Sequence, residues 1–220
     1  MKTTNKKVSP AKTATKKSNK PIILITNDDG ITAPGLRNLV EVMKTIGEVV
    51  VVAPDSPQSG MGHAITINKP LRLDKVSVFS GVDSYQCSGT PADCVKLAVN
   101  RVLHRKPDIL VSGINHGSNS SINVIYSGTM SAAVEGAIEG IPSIGFSLCD
   151  FNIDADFTVA KHYAKIIVKR ILKIGFQFEW CEEVVRAAGD WHRRQRPKLL
   201  CAQRSKIYAD AAVHGSALPQ

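Results

Sequence analysis

Ile22-Ile23-Leu24-Ile25-Thr26-Asn27-Asp28-Asp29-Gly30 is the passage on which the architecture turns. Its first five residues are apolar or β-branched with no polar alternation, the pattern of a strand buried on both faces in a parallel sheet. The run stops at turn-forming residues that carry two adjacent carboxylates. Downstream, Pro34 and Gly35 precede Leu36, Leu39, Val40, Met43 and Ile46, whose three- and four-residue spacing predicts a helix with one apolar face. Val49 to Ala53 is a second buried strand, closed by Pro54-Asp55. The chain therefore opens as β-α-β.

Working outward, residues 56–89 are less regular. Alternating stretches at Ala64–Ile67 and Val76–Phe79, broken by Pro70 and by Gly81-Val82-Asp83, predict short hairpins attached to the main sheet. Thr90-Pro91 has N-cap and first-turn chemistry, and a helical period runs from Ala92 to about Leu103. Asp108–Ser112 reads as a buried strand, Gly113–Tyr126 as a polar loop, Gly128–Glu139 as a helix of small residues, Pro142–Leu148 as a strand and Phe157–Ile174 as a long helix. This succession predicts an α/β protein with a doubly wound, mostly parallel sheet and an attached hairpin region. Residues 180–206 hold seven basic residues and both tryptophans with little periodicity, and are expected to be partly helical.

The 220 residues carry a net charge of +9, but the charge is unevenly placed. Residues 1–20 contain seven lysines and no acid, so that removing them leaves a body near +2. The expectation is a disordered basic tail over 1–20, an α/β domain over 21–175 and an atypical C-terminal segment over 176–220. A near-neutral body makes a nucleic-acid partner unlikely. The longest apolar runs are far shorter than the roughly 20 residues of a membrane span, so no membrane partner is expected. Five scattered cysteines without a CxxC spacing point to reduced thiols and a cytoplasmic protein.

In an open parallel sheet the ligand site lies beyond the carboxyl ends of the strands. Three loops at those ends carry oxygen-rich residues: Asn27–Gly30, Asp55–His63 and Ser112–Asn119. Two adjacent carboxylates at the end of a buried strand stay ionised only with a cationic partner, which a hard divalent ion supplies; the plain alternative is a solvated turn. Carboxylate, hydroxyl and amide oxygens without a cysteine suit Mg²⁺, Mn²⁺ or Ca²⁺. Ser127-Gly128-Thr129 opens a helix whose N-terminus could receive a phosphate, or Ser127 could be an ordinary N-cap. His63 and His116 sit inside these loops, where a histidine contacts phosphate or base or simply faces water. The chain has no GxxxxGK[ST] loop, and Asn27 stands where an Asp-x-Asp phosphatase needs its nucleophile, so attack by a metal-activated water is preferred to a covalent phosphoenzyme.

Four ordered segments resemble the SurE family, survival protein E or 5′/3′-nucleotidases. They are Ile25–Ile31 with Ala33-Pro34-Gly35, Val52–Asp55 with Gln58-Ser59-Gly60, Gly89–Val95, and Ser112–Gly117 with Tyr126–Thr129. The resemblance implies a Rossmann-like fold and one divalent metal per subunit, Mg²⁺ or Mn²⁺, bound by Asp28, Asp29, Ser59 and Asn115. It implies catalytic roles for Asp28, Asp29 and Asn115, and phosphate contacts at Gly60, Ser127, Gly128 and Thr129. The implied reaction is hydrolysis of nucleoside 5′- and 3′-monophosphates, and also of short polyphosphate, by a homodimer or homotetramer. After about Gly175 the chain departs from the family's pattern, and a frame shift or truncation of the coding sequence is the expectation. The alternative reading is a non-catalytic nucleotide-binding module impaired by that C-terminus.

Overall fold

The strand Ile22–Thr26 (β1) is buried along its whole length and lies in the middle of the sheet. Its alternate side chains serve opposite layers: Ile23 and Ile25 join one core, Ile22 and Leu24 the other. That division is the period-two geometry of a strand covered on both faces, and each such buried side chain contributes about 1.5–3 kcal/mol. The computed structural model describes residues 20–117, 119, 123–152, 154–175, 197–203 and 206–208, the last two stretches by backbone only. The basic tail up to residue 19 and most of the atypical C-terminal segment lie outside the described residues.

After β1 come α1 (Pro34–Met43), β2 (Glu48–Pro54), β3 (Leu73–Val76), β4 (Asp83–Cys87) and α2 (Pro91–Leu97), which continues as a π-helical turn over Ala98–Val102. Then follow β5 (Ile109–His116), α3 (Asn123–Tyr126), α4 (Gly128–Ile138), β6 (Ser143–Leu148), α5 (Thr158–Ile174), β7 (Pro197–Gln203) and β8 (Lys206–Tyr208). The sheet order is β3-β4-β2-β1-β5-β6-β7-β8. The β4-β2-β1-β5-β6 pairs are parallel, and β3, β7 and β8 join antiparallel. Helices α1 and α5 pack together on one face, α2 and α4 on the other. This is the doubly wound, mostly parallel α/β architecture expected from the sequence. From β1 the chain moves first toward β2 and later to β5 on the opposite side, so the crevice at a topological switch point lies where β1 and β5 end.

Three local expectations need correction. Ala64–Ile67 forms no strand; the hairpin is instead β3 with β4, and of Val76–Phe79 only Val76 belongs to it. The parallel strand β4, Asp83-Ser84-Tyr85-Gln86-Cys87, is too polar to stand out by hydropathy, and only its pairing with β2 makes it a strand. At the other end, 197–203 and 206–208 are strands where partly helical structure was expected: the apolar run Leu199–Ala202 extends the sheet antiparallel to β6.

Helix α1 approaches β5 so closely that a Cβ at Gly35 would overlap the carbonyl oxygen of Ile114. Only glycine admits that spacing. β5 in turn runs past Ser112 to His116 with a register shift against β6 between Ser112 and Asn115. The expected loop therefore begins four residues late, and Asn115 and His116 are carried on a strand end.

Candidate functional site

Asp28 leaves β1 as a buried residue, 5% exposed, and its carboxylate faces the start of α4. Thr129 Oγ1 donates to Asp28 Oδ1 at 2.5 Å. A Cβ added at Gly128 would stand 2.5 Å from Asp28 Cβ and 2.9 Å from Oδ2, so glycine is what lets the helix end approach the carboxylate. Burial pushes the Asp28 pKa up, and the Thr129 hydroxyl with the backbone N–H groups of Thr129 and Gly128 partly opposes the rise. The helix N-terminus and its positive dipole end thus address this carboxylate.

Asp29 is half-buried beside it. Its pKa is raised from 3.8 to about 6, first by burial and then by the charge of Asp28, with His116 acting in the opposite sense. Among the described residues neither Asp28 nor Asp29 forms an ion pair with a lysine or arginine. The turn itself is well made: Asn27 Nδ2 donates to Gly30 O at 2.9 Å, and Ile31 N to Pro54 O at 2.9 Å. Beneath it, Thr26 Oγ1, Asn27 Oδ1 and Ser112 Oγ are buried with no hydrogen-bond partner among the described residues, and Thr26 and Ser112 are register neighbours across β1 and β5.

The remaining expected site residues lie on the adjoining loop, strand end and helix start. Gln58 N donates to Asp28 O at 2.7 Å, which brings the second loop to the first. Ser59 and Gly60 follow on an exposed turn, Gly60 with a φ of 73°. Asn115 donates its Nδ2 to His116 O at 2.8 Å, a bond that does not use its amide oxygen. His116 Nδ1 lies 3.2 Å from Asp150 O, and its ring meets Phe157 edge-on. Ser127 is the N-cap of α4, its Oγ accepting from Met130 N at 3.1 Å. Of the expected phosphate contacts, then, Ser127 has the capping role and Thr129 turns its proton to Asp28.

Two acidic residues at the margin were given no role of their own by the sequence. Glu135 on α4 is buried yet lies 2.8 Å from His63 Nε2 and 2.5 Å from Lys96 Nζ. Asp93 completes a capping box with Thr90 and also accepts from Thr66 N. The signal for Glu135 was present: it is the sole acid in a helix otherwise made of small and apolar residues. The Thr90-x-x-Asp93 spacing is likewise a readable capping box.

A doubly wound α/β protein with paired carboxylates, hydroxyls and an amide at the switch point of its sheet belongs to the class that handles ligands by oxygen donors at strand ends. Comparison with known proteins narrows this: the model of the family described as Survival protein SurE matches residues 23–188, and the chain belongs to that family. Over 158 residues it is 66% identical to the 5′-nucleotidase SurE of Christiangramia forsetii and 68% identical to that of Flavobacterium johnsoniae. Each alignment covers 71% of this chain and 61% of the relative, so the chain spans about three fifths of these relatives' length. A crystal structure of the SurE protein from Aquifex aeolicus superposes with a TM-score of 0.64 at 42% identity, covering 71% of this chain and 62% of that one. Among the described residues no helix is long and apolar enough to cross a membrane.

Proposed function

We propose that this chain is a divalent-metal-dependent phosphomonoesterase acting on nucleoside 5′- and 3′-monophosphates, with short polyphosphate as a further substrate. The observation that carries the reading is the pair Asp28–Asp29: two neighbouring carboxylates, one buried, whose burial and mutual repulsion no lysine or arginine among the described residues relieves. Residues around them fit a hard cation. Thr26, Asn27 and Ser112 each carry a buried side-chain oxygen without a hydrogen-bond partner among the described residues, at the ends of the same strands, and the expected ligands Asp28, Asp29, Ser59 and Asn115 all offer oxygen. Asp28, Asp29, Ser59 and Asn115 would hold Mg²⁺ or Mn²⁺, one per subunit. When bound, such an ion polarises a phosphoryl oxygen and lowers the pKa of a water.

The chain's own groups account for the rest. Thr129 fixes the rotamer of Asp28 through its short hydrogen bond, and the N-terminal end of α4 favours the ionised carboxylate and an oxyanion placed next to it. Ser127 can donate its hydroxyl proton to a phosphate oxygen while still accepting from Met130 N, because a hydroxyl does both. Gly60, lacking a side chain on an exposed turn, lets backbone approach the same group. Asp29 and His116, near enough for their charges to interact, would both face a water or phosphate brought to the strand ends. The relatives named 5′-nucleotidase SurE support the substrate class.

The test is phosphate release from AMP and GMP by the full chain with Mn²⁺ or Mg²⁺. Turnover that ends on chelation supports the reading. Nucleotide binding without turnover under every metal tried replaces it with the non-catalytic binding module. A cytoplasmic location and a homodimeric or homotetrameric assembly belong to the same proposal, the latter read by light scattering.

A further inference from the structure

Within the turn that carries Ser59 the bonds are long or exposed: Met61 N donates to Gln58 O and Gln58 Nε2 to Ser56 O and Oγ, each at 3.4 Å, and Ser56 Oγ donates to Asp55 Oδ1 at 2.9 Å on the surface. Residues 55–61 are exposed apart from the half-buried Gln58, and a Cβ at Gly60 would meet nothing within 4 Å. Its geometry is set where it is tied to the rest of the protein. At one end Gln58 N donates to Asp28 O at 2.7 Å. At the other, Gly62 N donates to Tyr126 O at 3.2 Å, directly before the N-cap of α4. The next residue, His63, is joined to Glu135 on α4 at 2.8 Å. Beyond it Thr90 Oγ1 donates to Ala64 O at 2.7 Å, and Thr66 N donates to Asp93.

Of these ties, His63–Glu135 is the one made by two side chains, and its partners are unequal. Glu135 is 4% exposed, His63 35% and Lys96 41%. A carboxylate that deep needs its charge balanced and its oxygens paired: Lys96 Nζ lies 2.5 Å from Oε1 as an ion pair without hydrogen-bond alignment, and His63 Nε2, 2.8 Å from Oε2, makes the hydrogen bond. Lys96 supplies the balancing charge, and His63 supplies the hydrogen bond at Oε2. Glu135 also stands two helical turns beyond Ser127 and Thr129 on the same rigid helix. A contact from His63 to that helix therefore locks the Ser59 turn to the element that orients Asp28.

We infer that His63 and Glu135 are positioning residues that fix the turn bearing Ser59 against α4, so that its hydroxyl is preorganised toward Asp28 and Asp29. The inference rests on the reading of those residues as a metal site. Neither His63 nor Glu135 is among the residues that would hold the ion; both act through the backbone of residues 59–62.

Two measurements on the full chain decide it: Mn²⁺ affinity by calorimetry, and amide exchange of the 57–66 segment in the metal-free protein. His63→Ala raises the Mn²⁺ dissociation constant about tenfold and speeds exchange at Gly62 about tenfold, since one hydrogen-bonded tie is lost. His63→Gln, which can place a side-chain N–H near Glu135, keeps both within about threefold of the native chain. Native-like affinity and exchange in His63→Ala overturn the proposal, as does an equal loss in His63→Gln. A native chain that takes up no Mn²⁺ overturns the metal reading itself, and the exchange measurement then still decides whether His63 and Glu135 hold the turn.

Discussion

Thr129 Oγ1 donates a 2.5 Å hydrogen bond to Asp28 Oδ1, joining residues 101 apart in the chain and linking the end of β1 to the first turn of α4. This bond opposes the burial that raises the Asp28 pKa. Thr129→Val keeps the shape and removes the donor, so the Asp28 pKa rises further and its affinity for a cation falls. The expected result is a roughly tenfold weaker Mn²⁺ dissociation constant and a loss of about 1–3 kcal/mol in stability, with Thr129→Ser restoring both. Calorimetry and urea denaturation check the two numbers.

Asp28→Asn removes one of the two adjacent charges. Metal-dependent phosphate release should drop about 10³-fold, while the melting temperature holds, because the amide still fits beside Gly128. The same substitution lowers the Asp29 pKa from about 6, since the Asp28 charge is one of its causes. Full turnover in this variant would remove Asp28 from the mechanism.

Gly128→Ala tests the close approach directly. Its new Cβ would lie 2.5 Å from Asp28 Cβ, so either the helix or the carboxylate has to move. A destabilisation of about 1–3 kcal/mol is expected, together with loss of turnover that exceeds the loss expected from unfolding alone. Activity per folded molecule, measured well below the melting temperature, separates the two effects.

Asp29 gives the metal-free protein a pH dependence whose sign follows from its raised pKa. The folded state prefers the protonated acid, so this contribution is fully present below about 3.8 and lost as pH rises through about 6. In EDTA, Asp29→Asn should stabilise the protein at pH 7 by about 1–2 kcal/mol, a figure already reduced for the half-exposed position. The gain should vanish near pH 4. Denaturation curves at the two pH values decide it, and an equal gain at both would sink the assignment.

Much of the frame was legible from local patterns. β1 and β2 carry apolar runs and α1 and α5 clear helical periods, while α4 shows as a run of small residues, because elements buried in a two-sided sheet must be apolar or small wherever they touch a layer. β4 escaped, since Asp83–Cys87 is polar and becomes a strand through the hydrogen bonds offered by β2. β7 escaped for a related reason: its short apolar run Leu199–Ala202 becomes a strand through antiparallel pairing with β6 and β8.

The site divides in the same way. Residue identity alone marked Asp28 and Asp29 as a charge pair at a strand end, and Ser127 as a helix cap, because strand termination, turn chemistry and capping are settled over a few neighbouring residues. Tertiary structure decided that Thr129 turns to Asp28, that Gly128 must be small for Asp28 to fit, and that Glu135 meets His63 and Lys96 from two other elements. Those relationships join residues far apart in the chain, and only the packing of α4 against the sheet and α2 brings their atoms within hydrogen-bond range.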